Sequence, residues 1–110
     1  MKKIPVGILG ATGMVGQRYL QLLANHPWFD VGFLASSDLS AGKTYAEAVS
    51  GRWHMDRSIP ERFLNLPVHR MDEIALAKKS CAFVFSAISN EAAQIYEERY
   101  AENGIPVISN

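Results

Sequence analysis

Residues 6–17 read VGILGATGMVGQ, an apolar run that ends in a turn with glycine at positions 10, 13 and 16. A pattern typical of an amphipathic helix follows at once. Glycines let a backbone approach a pyrophosphate closely, and the N-terminus of a helix aims unpaired N–H groups at the anion. The spacing is G-x-x-G-x-x-G rather than the commoner G-x-G-x-x-G, and glycine turns also occur for structural reasons alone. Because the sequence fits on both sides of the turn, the stretch predicts a dinucleotide-phosphate site.

The composition is that of one globular domain at most, since the chain has 110 residues, 48% of them hydrophobic. Lys and Arg together number 11, and so do Asp and Glu. This balance favours neither a nucleic acid nor an acidic membrane as a partner. We expect no membrane-spanning segment and no signal peptide, because no apolar run is long enough. The single cysteine cannot form an internal disulfide, which favours a cytoplasmic protein.

The chain alternates predicted strands and helices. We expect strands at 3–9, 30–35, 66–69, 82–86 and 106–108. Helices are expected after the glycine turn, at 71–79, and from an Asn90 cap to a stop at Asn103 and Gly104. Residues 44–63 have no clear period and are predicted to form a long irregular excursion. The buried stripe of the first helix is predicted to consist of Val15, Tyr19, Leu22 and Leu23.

Strands that are joined through helices predict a parallel sheet with right-handed crossovers. The expected fold class is therefore α/β, a Rossmann-type doubly wound parallel sheet in three layers, α/β/α. Ligands of such sheets bind beyond the carboxyl ends of the strands. Small or polar residues are enriched in the four segments that end the strands, which are 10–16, 36–43, 86–90 and 109–110.

The end of the second strand indicates which dinucleotide is bound. An acidic residue there holds the ribose 2′-hydroxyl of NAD and would repel the 2′-phosphate of NADP. This chain has Ser36 and Ser37 instead, whose hydroxyls can donate to a phosphate. The residues therefore favour NADP as the cofactor. Asp38, which follows directly, argues the other way, and a plain serine turn is the structural alternative.

A set of motifs spread over the whole chain resembles the aspartate-semialdehyde dehydrogenase family, in its archaeal and fungal branch. The motifs, in order, are GATGMVGQ at 10–17, ASS at 35–37, SAGK at 40–43, FSA at 85–87 and SN at 109–110. The resemblance implies NADPH-dependent reduction of aspartyl-4-phosphate to aspartate semialdehyde, with release of phosphate. That step leads to lysine, threonine and methionine. The family uses a cysteine thiolate, which forms a thioester with the substrate, and an assisting histidine.

The resemblance also assigns roles to individual residues. The pyrophosphate cradle is expected at Gly10, Thr12, Gly13, Met14 and Val15. Ser37 and Ser40 are expected at the 2′-phosphate. Ser36 is expected there too, because of its position at the end of the second strand. Ser86 and Ala87 match the turn beside the cofactor, and Asn110 matches the asparagine near the nicotinamide. Lys43 ranks lower, because a loop lysine is usually solvated.

Two departures from the family pattern stand out. Many members carry arginine just before the SAGK motif, where this chain has Leu39, so a bidentate phosphate partner is missing. Residues 1–110 are expected to be an incomplete NAD(P)-binding domain without the family's catalytic cysteine and histidine. Cys81 is expected to be a buried packing residue rather than the nucleophile. We therefore expect the chain alone to be inactive and the parent protein to be a homodimer or homotetramer.

Two other functions compete with this interpretation. Other reductases of acyl phosphates or thioesters share the same plan, notably malonyl-CoA reductase and N-acetyl-glutamyl-phosphate reductase. A non-catalytic NADP-sensing module could also begin with Gly-Ala-Thr-Gly. The Ser-Ala-Gly-Lys loop and the Ser-Asn pair argue against the sensor. The histidines do not have the spacing of a metal site.

Overall fold

A computed structural model describes residues 2–109 and shows alternating strands and helices. The strands are β1 (Ile4–Leu9), β2 (Phe29–Ser36), β3 (Val68–Arg70), β4 (Phe83–Ser86) and β5 (Val107–Ser109). The helices are α1 (Met14–Leu23), α2 (Tyr45–Ala48), α3 (Ile74–Ser80) and α4 (Asn90–Glu102), with a 3-10 helix at Glu61–Phe63. The predicted strands agree with these bounds to within about two residues.

The five strands form one sheet in the order β3-β2-β1-β4-β5. Every pairing within it is parallel. Alternate residues of β1 enter two separate cores, Val6 and Ile8 on the face covered by α1 and α2, and Leu9 on the face covered by α3 and α4. The expected doubly wound α/β/α architecture is confirmed. Its strand order reverses between β1 and β4, and the carboxyl ends of both strands reach the edge where ligands bind.

The predicted stripe of α1 is wrong in part. Val15 and Leu22 are 42% and 67% exposed, whereas Gly16, Gln17 and Leu20 are buried with Leu23. The helix is rotated because Gly16 must lie against the turn that precedes it, as its contacts show below. The number of apolar residues favours burial of the face with Val15 and Leu22. The close packing of Gly16 against the turn instead decides which face of α1 is buried.

The segment 44–63 is more ordered than the sequence predicts. Thr44 and Glu47 form a capping box at the start of α2. The amide of Gln17 on α1 fastens the segment, since its Nε2 donates to the Arg52 carbonyl at 2.9 Å and its Oε1 accepts from the His54 N–H at 2.9 Å. The excursion therefore packs against the glycine turn rather than extending into solvent.

The ends of α4 differ from the prediction at one terminus. Ser89, not Asn90, is the N-cap, and its hydroxyl accepts from the Ala92 N–H at 3.3 Å. Asn90 is the first helical residue. Asn103 is the C-cap, and Gly104, the next residue, has φ +79°, so the expected glycine stop is confirmed.

Candidate nucleotide-binding site

Gly10, in the turn between β1 and α1, and Gly16, in the first turn of α1, are both required by the fold itself. Gly10 has φ +79°, and a Cβ there would lie 2.6 Å from the Ala87 carbonyl oxygen. A Cβ on Gly16 would lie 2.0 Å from the Gly10 carbonyl oxygen. Neither position tolerates a side chain. The glycine turn can therefore lie close to the end of β4 while α1 lies close to the turn.

Gly13 differs from Gly10 and Gly16. Its φ is −79°, a value open to any residue, and a Cβ there would meet nothing closer than the Gly10 carbonyl oxygen at 3.8 Å. The fold therefore does not need glycine at this position. What the missing side chain leaves is open space directly before the first turn of α1, where a bound group can approach the backbone.

The N-terminus of α1 lacks a cap of its own. Gly13 is the N-cap and has no side chain to accept from the helix, and the first turn holds no acidic residue. By contrast, α4 starts at the same edge with the Ser89 cap and with Glu91 in its first turn. Negative charge near a helix N-terminus already satisfies its dipole. Of these two helices, α1 is therefore the one arranged to receive an anion.

Neighbouring strands hold the turn in place. The N–H groups of Gly10 and Ala11 both donate to the Ala35 carbonyl, at 2.8 and 3.1 Å. Thr12 Oγ1 and Ser36 Oγ share a hydrogen bond of 2.6 Å, and Ser36 is only 5% exposed. The Ser36 hydroxyl thus ties the turn to the end of β2.

A cleft of about 390 Å³ opens beside this turn. Its polar side comes from the end of β2 and the start of α4, with Ser37, Asp38 and Ser89. Its apolar walls are formed by Met71, Ile88, Ala92 and Tyr96. Apolar walls with a few polar groups are typical of pockets for small molecules and cofactors. These walls were not predicted from the sequence, although Ala92 and Tyr96 are four residues apart on α4 and so share one face.

Two predicted residues, Ser40 and Ser86, are buried in hydrogen bonds to the protein, and a third lies outside the described residues. Ser40 is 2% exposed and its hydroxyl accepts from Arg52 Nη2 at 3.4 Å. Ser86 is 1% exposed and its hydroxyl donates to Glu97 Oε2 at 2.7 Å. Asn110 lies outside the described residues. Their roles toward a cofactor stay predictions.

The remaining predicted residues come together at one edge. Gly10, Thr12, Gly13, Met14 and Val15 form the turn and the start of α1, and Met14 is 65% exposed. Ser37 is exposed at the end of β2. The Ala87 N–H donates to the Leu9 carbonyl at 2.8 Å, which holds the end of β4 beside β1.

Glu97 on α4 is a residue that sequence reasoning did not single out. Its Oε2 accepts from Ser86 at 2.7 Å and from Ser109 at 3.1 Å. One carboxylate oxygen thereby joins the ends of β4 and β5. The signal in the sequence is weak, because a glutamate in a helix usually faces solvent.

Cys81 lies at the opposite edge of the sheet, between α3 and β4. It is 8% exposed and its Sγ donates to the Ala77 carbonyl at 3.1 Å. Burial raises the pKa of the thiol to about 11, so the thiol stays protonated at neutral pH. The expected packing role is supported. Residues 2–109 contain no cluster of His, Cys, Asp and Glu suited to a metal ion.

The family model of the semialdehyde dehydrogenase NAD-binding domain matches residues 5–110. The chain belongs to this family. An aspartate-semialdehyde dehydrogenase of Archaeoglobus fulgidus is 41% identical over 105 residues, 96% of this chain and 29% of that protein. The enzyme of the same name from Saccharomyces cerevisiae is 41% identical over 109 residues, 99% of this chain and 28% of that protein. This family member therefore spans under a third of the length of the curated relatives it matches.

A solved relative confirms the fold at the level of coordinates. The aspartate-semialdehyde dehydrogenase of Candida albicans, crystallised with NADP, is 36% identical, with a TM-score of 0.90 over 99% of this chain and 30% of that one. These relatives carry the name of the family that the motifs indicate and do not favour the alternative reductases or the sensor. Within the described residues, no helix is long and apolar enough to cross a membrane.

Proposed function

We propose that this family member is the NADP-binding portion of an aspartate-semialdehyde dehydrogenase. The parent enzyme would reduce aspartyl-4-phosphate to aspartate semialdehyde with NADPH and release phosphate. The support is the family membership, the named relatives and a site whose form suits a dinucleotide.

The observation that carries the proposal is the pairing of Gly13 with the uncapped start of α1. The fold does not need glycine at Gly13, yet the absent side chain opens the path to the first-turn N–H groups. A pyrophosphate there would accept from those groups. Gly10, Thr12, Met14 and Val15 would complete the cradle.

The rest of the cofactor would extend along the same edge in both directions. The adenine would enter the cleft between Met71 and Tyr96, and Ser37 would face the 2′-phosphate. Ser40 could join only if its bond to Arg52 opened. The nicotinamide would lie toward Ser86, Ala87 and Asn110. When bound, NADPH supplies the hydride for the reduction.

The catalytic nucleophile would have to come from outside residues 1–110. Cys81 is the one cysteine of the sequence, and it lies buried at the edge away from the cofactor turn. We therefore expect the 110-residue chain alone to bind the cofactor without catalysing the reaction. The parent enzyme would act as a homodimer or homotetramer in the cytoplasm.

Calorimetric titration with NADP and with NAD tests the binding half of the proposal. We expect binding of both, with NADP tighter. A folded chain that binds neither nucleotide would refute a dinucleotide site. The catalytic half is tested on the full-length protein with aspartyl-4-phosphate and NADPH. Reduction of a different acyl phosphate or acyl-CoA in its place would refute the proposed substrate.

A further inference from the structure

The loop that ends β2 lacks the cation that a 2′-phosphate requires. Residues 36–42 read SSDLSAG and contain neither Lys nor Arg, and Lys43, which follows, lies at the amino end of β3, where its carbonyl accepts from the Val68 N–H at 2.8 Å. Their one charged side chain, Asp38, is acidic, and Leu39 at the tip is 87% exposed. Serine hydroxyls alone give a dianionic phosphate little charge compensation. Arg52 already reaches the loop from its buried side, where its Nη2 donates to the Ser40 hydroxyl and to the Ala48 carbonyl. If NADP is the cofactor, as proposed above, an exposed basic side chain would have to reach the open side of the loop from another element.

We propose that Arg70, from the end of β3, is the residue that recognises the 2′-phosphate. In the β2–β3 ladder Arg70 is the register partner of Ser36. It therefore lies at the same carboxyl edge as the predicted ribose site, one strand further out. The inference rests on the proposed function and assigns it a specificity residue.

The cleft geometry supports this placement. Arg70 lines an open groove of about 530 Å³ together with Asp38, Ala41 and Gly42. Asp38 also lines the adenosine cleft, so the two spaces adjoin at the end of β2. A phosphate on the ribose 2′-oxygen would project from the first space toward the second.

The Arg70 guanidinium can donate hydrogen bonds to a ligand in this groove. Its Nε donates to Asp72 Oδ1 at 3.2 Å, and the side chains of the pair are 57% and 53% exposed. Within residues 2–109 its two terminal nitrogens donate no hydrogen bond to protein atoms. A fork of two N–H groups matches two oxygens of a phosphate.

Acidic neighbours oppose a phosphate but are partly compensated. Glu73 lines the groove too, and its Oε2 accepts from the Arg70 N–H at 2.7 Å while its Oε1 lies 3.6 Å from His69 Nδ1. Asp72 orients the guanidinium through Nε. Asp38 is the acidic group without such a partner within the described residues, and it would face the ribose.

The test compares Arg70→Gln with Lys3→Gln in the full-length protein, by titration with NADP and NAD. Both residues are exposed and both changes remove one positive charge, but Lys3 precedes β1 at the opposite edge. We expect Arg70→Gln to weaken NADP binding about 10-fold or more and to leave NAD binding within about twofold. Lys3→Gln should change neither. Adding Leu39→Arg to Arg70→Gln should restore NADP affinity.

Wild-type NADP affinity in Arg70→Gln would overturn the proposal, and so would an equal loss of NADP and NAD. Melting temperatures of the variants check that the fold is retained. Titration with adenosine 2′,5′-bisphosphate against AMP isolates the phosphate itself, and Arg70→Gln should abolish the preference for the bisphosphate. An unsubstituted protein that binds neither nucleotide overturns the proposed function, and the role of Arg70 with it.

Discussion

Gly13 and Gly16, three residues apart at the start of α1, are glycine for different physical reasons. Gly16 packs against backbone atoms of the turn, so the fold itself excludes a side chain. Gly13 faces open space. The sequence shows both as members of one motif and cannot separate them, because the distinction depends on which atoms lie opposite each Cα.

Substitution separates the two glycines. Gly13→Ala should lower the free energy of unfolding by about 1 kcal/mol or less, since only an N-cap preference is lost. It should weaken NADP binding about 10-fold, because the methyl group occupies the approach to the helix N-terminus. Gly16→Ala should cost about 3 kcal/mol or more through backbone overlap. Urea denaturation and calorimetry measure the two quantities. Equal losses of stability would contradict the assignment.

Burial also sets how this family member responds to alkaline pH. The pKa of Cys81 is raised to about 11 from an ordinary value of 9.0, and burial raises the pKa values of Tyr45 and Tyr100 as well. A raised pKa means that folding favours the neutral form. The contribution is therefore complete below about pH 9 and is lost as the pH rises toward 11.

We expect the free energy of unfolding to be level from pH 7 to about 8.5 and to fall above it. Cys81 alone should contribute a loss of about 2 kcal/mol by pH 11. Cys81→Ala should reduce the slope without abolishing it, because the tyrosines remain. Urea denaturation at a series of pH values measures this. A free energy of unfolding that increases above pH 9 would contradict this prediction.

At the scale of elements, hydrophobic periodicity predicted most of the fold. Strand and helix alternation is a local property, and each strand is a short apolar run closed by a turn. The orientation of α1 was missed because it depends on contacts between elements. The cap of α4 was placed one residue too late because Ser89 and Asn90 are both residue types that commonly cap helices. The Thr44–Glu47 capping box was readable in the sequence as T-x-x-E and was overlooked within a segment that has no clear period.

The segment after β2 supports the glycine turn through a buried hydrogen bond. The buried hydroxyl of Tyr45, on α2, donates to the Ala11 carbonyl at 2.7 Å. Tyr45→Phe should lower the free energy of unfolding by about 1–2 kcal/mol, because that carbonyl loses its partner. It should also weaken NADP binding a few-fold, because the turn becomes less rigid.

Thr44→Ala is the matched control. It removes the cap of the same helix and should cost about 1 kcal/mol, with NADP affinity unchanged. Calorimetric titration of both variants with NADP measures this difference in affinity. If the two variants lose affinity equally, α2 stabilises the fold and does not act on the turn in particular.

At the scale of the whole molecule, the doubly wound parallel sheet could be predicted from the alternation of strands and helices, but the composition of the site could not. Successive parallel strands with right-handed crossovers leave few topologies. In contrast, the proximity of Arg70 to Ser36 depends on the register of β3 against β2. The apolar walls of the cleft depend on how α4 packs. Neither the register of β3 nor the packing of α4 can be read from a short stretch of sequence.

The outer strand predicts association between copies of the chain. Within the described residues β5 pairs only with β4, and Ile108 on it is 47% exposed. An unpaired, apolar strand edge is a template for another strand. We expect the 110-residue chain to self-associate in sedimentation experiments as its concentration rises, and Ile108→Lys to reduce this. A chain that stays monomeric throughout would contradict the expectation.

The position of α4 gives the edge a mechanical property. Ala92 and Tyr96 of this helix line the cleft beside the glycine turn, and Glu97, the next residue after Tyr96, holds the ends of β4 and β5 through Ser86 and Ser109. Tyr96 and Glu97 are adjacent residues of one helix, so a rotation of α4 that closed the wall on a ligand would also displace Glu97 and, through its hydrogen bonds, the tips of both strands. Occupying one part of the crevice would then alter the other part without any rearrangement of the sheet between them.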